Sequence, residues 1–112
     1  MIRTAAAVAL AAGLLAACQS VQPRSAMDGR WASADGVFVA TFDSGKFTSR
    51  FTKTNEVLAQ GTYASDAGNR IAMNWLSVAT KQQRSASCSF TGPNTVSCQQ
   101  TGGGAFQLNR AA

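Results

Sequence analysis

From Lys46 to Lys53 the chain alternates strictly: Phe47, Ser49 and Phe51 fall on one side of an extended backbone, and Lys46, Thr48, Arg50 and Thr52 on the other. A period of two is the mark of a β-strand with one face covered and one face wet. A lone strand or hairpin of this kind is barely stable in water, so further strands must cover the phenylalanine face.

The rest of the sequence supplies them. Arg30-Trp31-Ala32 follows Asp28-Gly29. Val37 to Phe42 follows an Asp35-Gly36 turn and groups Phe38, Ala40 and Phe42. Asp43-Ser44-Gly45 leads into Lys46–Lys53, and Thr54-Asn55-Glu56 leads out of it. Val57 to Tyr63 groups Val57, Ala59, Gly61 and Tyr63. After the loop Ser65-Asp66-Ala67-Gly68-Asn69, Arg70 to Leu76 groups Ile71, Met73 and Trp75. Ser77 to Gln83 reads either as a loop or as a frayed strand. Arg84 to Phe90 and Asn94 to Gln99 make a hairpin around Thr91-Gly92-Pro93. Beyond the turn Gly102 to Gly104, Ala105 to Arg110 closes the series with Phe106 and Leu108 inward. About eight short strands at roughly 8- to 12-residue spacing predict an all-β fold, and consecutive hairpins favour a small antiparallel up-and-down barrel. Closure removes the exposed edges on which such chains aggregate. The inward aromatics Trp31, Phe38, Phe42, Phe47, Phe51, Tyr63, Trp75, Phe90 and Phe106 are expected nearly to fill it.

The first residues are of another kind. MIRTAAAVALAAGLLAAC has a basic Arg3, an apolar stretch too short for a settled membrane helix of about 20 residues, and Leu15-Ala16-Ala17 before Cys18. This is a lipobox. Small residues let the signal peptidase close on the backbone. The cysteine thiol takes a diacylglyceryl group, and the α-amine freed by cleavage takes an acyl chain. Residues 1–17 are expected to be a signal peptide. Cys18 is expected to become an N-palmitoyl, S-diacylglycerol cysteine. Residues 18–27 are expected to form a lipidated tether, and residues 28–112 the barrel domain. Cleavage leaves 95 of the 112 residues and lowers the formal net charge from +5 to +4. The basic residues are scattered, as on a solvated surface, with no nucleic-acid patch; a mild attraction to anionic lipid is the sharper alternative.

Of three cysteines, lipidation uses one and leaves Cys88 and Cys98. Export to an oxidising compartment makes their disulfide the default. They lie symmetrically about Pro93 and would face each other across a hairpin, pinning its register. A redox pair is the alternative, but the spacing is not CxxC. With no histidine, Ser-His-Asp and Cys-His catalysis is excluded and a zinc site is poorly served. The carboxylates Asp28, Asp35, Asp43, Glu56 and Asp66 all fall at turns or strand ends, where they cap the backbone. Neither a cofactor nor a catalytic site is expected. Gly29-x-Trp31 admits two readings, a tryptophan that plugs one end of the barrel or the opening of a ligand-binding cup.

These features together resemble the minor outer-membrane lipoprotein family of Brucella and the rhizobia. The resemblance runs from the lipobox through Gly29-Arg30-Trp31, Asp35-Gly36, Gly45-Lys46-Phe47, Thr54-Asn55-Glu56, Leu58-Ala59, Gly61, Cys88, Asn94 with Cys98, and Phe106-x-Leu108-x-Arg110. It implies export through the inner membrane and anchoring in the outer membrane, with Cys18 as the one functional position carried over. Gln19 after the cysteine agrees with that sorting. The leading expectation is a monomeric, non-enzymatic lipoprotein with a structural or surface-interaction role in the envelope, its partner an envelope protein. Two alternatives stand beside it. One is a β-barrel inhibitor related to the metalloprotease inhibitors, in which residues 19–27 would reach a protease; the other is a binder of a small apolar ligand.

Overall fold

The computed structural model describes residues 25–65 and 68–111. The expected signal peptide, Cys18, most of the tether and Asp66 lie outside the described residues. Eight strands run β1 (Gly29–Ser33), β2 (Phe38–Asp43), β3 (Lys46–Phe51), β4 (Val57–Ser65), β5 (Arg70–Ser77), β6 (Gln83–Gly92), β7 (Thr95–Gln100) and β8 (Ala105–Arg110). Each pairs antiparallel with the next, and β1 returns to β8 through Trp31↔Arg110, Ala32↔Asn109 and Ser33↔Leu108. The result is a closed up-and-down barrel, as the alternation predicts. Every strand is paired on both edges within residues 29–110.

Turn chemistry sets the hairpins. Ser44 and Gly45 both take positive φ between β2 and β3, the backbone that a tight hairpin of right-handed twist requires. The stretch that reads ambiguously, Ser77 to Gln83, is a turn with Lys81 at positive φ, flanked by the last residue of β5 and the first of β6. The β6–β7 turn falls on Pro93-Asn94, slightly later than expected, because Thr91 is an extra residue on β6. A second bulge makes Leu58 an extra residue on β4, between the pairs Ser49↔Ala59 and Arg50↔Val57. Gly61 permits a close approach of β4 to β5: a Cβ there would lie 2.0 Å from the Asn74 carbonyl oxygen. The rings of Phe47 and Trp75, from the strands on either side of this glycine, meet edge to face at 6.3 Å.

The core is concentrated toward one end, where the chain enters β1 and leaves β8. Trp31 is fully buried there, with its indole N–H donating to the Met27 carbonyl at 2.9 Å. Phe90 meets it edge-on at 6.0 Å. Phe42 stacks on Phe47 at 4.9 Å and meets Tyr63 edge-on at 5.0 Å. Met27 is also fully buried, so the last residue of the expected tether belongs to the packed domain. Cys88 and Cys98 stand directly opposite each other on β6 and β7 and form a buried disulfide.

Candidate functional site

Strand alternation places Trp31, Phe42, Tyr63, Ile71, Cys88, Val96 and Cys98 inward, and all are buried. Farther along the same strands the inward positions become small: Ala40 on β2, Ser49 on β3, Ala59 on β4 and Ser77 on β5. Small side chains at one height leave room. A cavity of about 360 Å³ opens at this end, walled by Phe38, Phe47, Leu58, Trp75, Phe106 and their neighbours. The expectation that aromatics nearly fill the barrel is therefore corrected. They fill one half and line the other. Phe51, expected inward with them, ends β3 half-buried and outside the core cluster.

The wall rings brace one another. Phe38 meets Phe106 at 6.5 Å, Phe106 meets Trp75 at 6.3 Å across the lumen, and Trp75 meets Phe47, all edge to face. Leu58 reaches the wall through the β4 bulge, which strict alternation could not foresee. The polar wall groups are Ser49, Ser77, Arg84 and Gln100. Arg84 pairs with Trp75 in register and lies in the inward series Arg84, Ala86, Cys88. Its guanidinium donates to the Gln82 side-chain oxygen at 3.3 Å and to that of Gln100 at 3.5 Å. The sequence presents Arg84 as one more scattered surface charge. Its parity with Cys88 was the signal that it sits at the barrel mouth.

The opposite end is sealed. Arg110 lies across the Trp31 ring at 4.3 Å and donates to the carbonyls of Ala26 at 2.8 Å and Asp28 at 3.1 Å and to the Asn94 side chain at 3.2 Å. Gly29 makes room for it: its φ is 125°, and a Cβ there would lie 2.9 Å from the guanidinium. The Tyr63 hydroxyl donates to Asp28. Burial, and then this bond to the carboxylate, pushes the Tyr63 phenol up to about 12. The plug reading of Gly29-x-Trp31 thus describes this end, while the cup lies at the other.

The remaining sequence candidates fall where turn chemistry puts them. Asp35 accepts from the Ser33 hydroxyl at 2.7 Å and from the Val37 amide at 3.1 Å. Those two bonds hold its carboxyl below the usual range. Asp43 accepts from Ser44 in the β2–β3 turn. Among the described residues, no three His, Cys, Asp or Glu side chains gather as a metal site. The disulfide lies behind the cup, with the Cys88 sulfur 3.4 Å from the Met73 thioether that lines the cavity floor.

A plugged end, an apolar cup at the far end and an N-terminal entry through the plug define a small cup-shaped β-barrel domain. The chain belongs to the outer membrane lipoprotein Omp10 family, whose model matches residues 28–109, nearly the whole barrel. It is 32% identical over 110 aligned positions to an outer membrane lipoprotein Omp10 homolog of Rhizobium meliloti (strain 1021), covering 88% of each chain. It is 29% identical over 119 positions to outer membrane lipoprotein Omp10 of Brucella melitensis biotype 1, covering 96% of this chain and 94% of that one. The Mesorhizobium japonicum homolog is 28% identical over 105 positions, 87% of this chain and 84% of its own. No solved structure matches the chain significantly.

Proposed function

We propose that this outer membrane lipoprotein is a lipid-anchored, non-enzymatic cup for a small apolar ligand. The observation that carries the reading is the cavity of about 360 Å³ with aromatic walls. A cavity at the low end of the roughly 300–1,000 Å³ range of ligand sites suits a small ligand. The leading expectation from sequence, a purely structural or surface-interaction role in the envelope, needs no such space.

The anchor completes the reading. Cys18 carries the diacylglyceryl and N-acyl groups, and residues 18–27 connect it to the plugged end. Nine residue steps span at most about 30 Å, so the domain stands close to the leaflet, with the tether joining it at the end opposite the mouth. Replacing Cys18 by Ser is expected to abolish metabolic palmitate labelling and lipoprotein processing; persistent labelling overturns the anchor. For the cup, a neutral apolar dye such as N-phenyl-1-naphthylamine is titrated into the barrel domain, residues 19–112. Saturable binding at one site is expected, lost in Ala59→Phe, which places a ring in the cavity. Near-ultraviolet circular dichroism checks that the variant keeps its packed end. Dye binding that survives in the folded variant, or no binding to the parent, overturns the cup.

A further inference from the structure

The two ends of the barrel each carry an arginine at an inward register position, and the two are treated differently. Arg110 at the plugged end is spoken for by an aromatic face, two backbone carbonyls and an asparagine. Arg84 at the mouth is exposed, and the hydrogen bonds described for it go to two neutral glutamine oxygens at 3.3 and 3.5 Å, long for a guanidinium. Among the described residues no carboxylate lines the cup, and Arg84 is the one charged group in its wall. Of the carboxylates on the turns at this end, Asp35 is already engaged by Ser33 and Val37, and Glu56 sits exposed in the β3–β4 turn. Lys53 and Lys81 on neighbouring turns add positive charge to the same rim.

Resting on the reading of this end as a binding cup, the geometry points to a single-tailed amphiphile with an anionic head as its ligand. The tail lies among Phe38, Phe47, Trp75 and Phe106, and the head meets Arg84 and Gln100 at the mouth. Three features select that class. The apolar wall favours hydrocarbon, since each methylene moved from water into it adds to the affinity. The volume suits a single chain: an apolar protein cavity of about 150 Å³ holds one benzene ring, so 360 Å³ takes one medium-length tail and not two long ones. The guanidinium offers a carboxylate, sulfate or phosphate head paired, charge-assisted bonds in place of its long bonds to glutamine. Such a head remains wet at the mouth, so no charge needs to be buried.

The experiment is calorimetric titration of the barrel domain, residues 19–112, with decanoate, 1-decanol and decyltrimethylammonium below their aggregation concentrations. Decanoate is expected to bind about three- to tenfold more tightly than decanol, with the cation weakest. Arg84→Gln should bring decanoate down to the affinity of decanol for the same variant; Arg84→Lys should keep part of the advantage. Raised salt should narrow the gap. Equal affinities of decanoate and decanol for the parent, or a gap that survives in Arg84→Gln, overturn the anionic-head assignment while the cup stands. Decanoate bound undiminished by folded Ala59→Phe places the amphiphile outside the cup and overturns the assignment. Failure of all three probes to bind overturns the cup itself, and the assignment with it.

Discussion

One strand pattern builds both ends of this barrel, yet the plugged end and the open end differ in almost every physical respect. At the plugged end the inward residues are large, Trp31, Phe42, Tyr63 and Phe90, and Met27 folds back to cover them. At the open end the inward residues alternate between rings and small side chains, and space remains between them. The arginines repeat the contrast in their partners: both are exposed, but Arg110 is held by backbone carbonyls, Asn94 and the Trp31 face, and Arg84 by two long bonds to glutamine oxygens. The difference teaches that the dense packing of this domain and its open cavity are separable. The plug supplies dense packing, and its strands extend beyond the packed region to hold the cup walls.

If that separation is right, equivalent truncations at the two ends should not have equivalent costs. Trp31→Ala removes a fully buried ring together with its hydrogen bond to Met27 and its contact with Arg110. A loss of about 4 kcal/mol is expected, a large part of the roughly 5–15 kcal/mol that holds a native domain folded. Trp75→Ala removes a half-buried ring that borders existing space, and roughly half that loss is expected, since little new cavity is made. Urea unfolding of the two variants measures both. Equal costs would break the comparison.

The disulfide tests the same division from the boundary between the halves. It closes a loop of sequence separation 10, and removing such a cross-link costs about 3 kcal/mol, mainly by freeing the unfolded chain. In the double variant Cys88→Ala, Cys98→Ala the urea midpoint should fall accordingly. Dye affinity should stay within about twofold at temperatures where the variant is folded, because the bridge lies behind the cup, against Met73 and beside Phe106 in register, and does not itself line the cavity. A large loss of affinity in the folded variant would mean that the bridge shapes the cup floor, and that the halves are coupled.

The two halves were also unequally legible in the sequence. The closed barrel follows from alternation and turn residues, and the pairing of Cys88 with Cys98 follows from hairpin symmetry. The cup does not, because alternation says which side chains point inward and not how much volume they leave. Counting aromatics suggested a filled interior. The space arises because Ala40, Ser49, Ala59 and Ser77 gather at one height, and that depends on the stagger of neighbouring strands. Leu58 joined the wall through a bulge, which shifts register by one residue without a strong local signal. A charge suggests an outward position for Arg84, though its spacing from Ala86 and Cys88 places it inward. Met27, a single apolar residue in a polar stretch, carried no periodicity to mark it as core.

The smallest expected effect concerns the latch at the plugged end, and it has a pH signature that the open end lacks. Tyr63 is the chain's single tyrosine, so its phenolate absorbance titrates alone. Burial, reinforced by the bond to Asp28, raises its pKa from an ordinary 10.0 to about 12. A raised pKa means that the folded state holds the proton more tightly than the unfolded state does. The contribution is therefore complete below pH 10 and is lost as pH rises toward 12, where the unfolded chain ionises first. At neutral pH Tyr63→Phe is expected to cost about 1.5 kcal/mol, the worth of a hydrogen bond to a charged acceptor. Between pH 10 and 12 the gap in melting temperature between parent and variant should close, because only the parent has this proton to lose. A tyrosine that titrates near 10 in the folded protein, or a gap that stays constant through that window, would show that the phenol is not held in the packed end and that the plug is looser than its aromatic contacts imply.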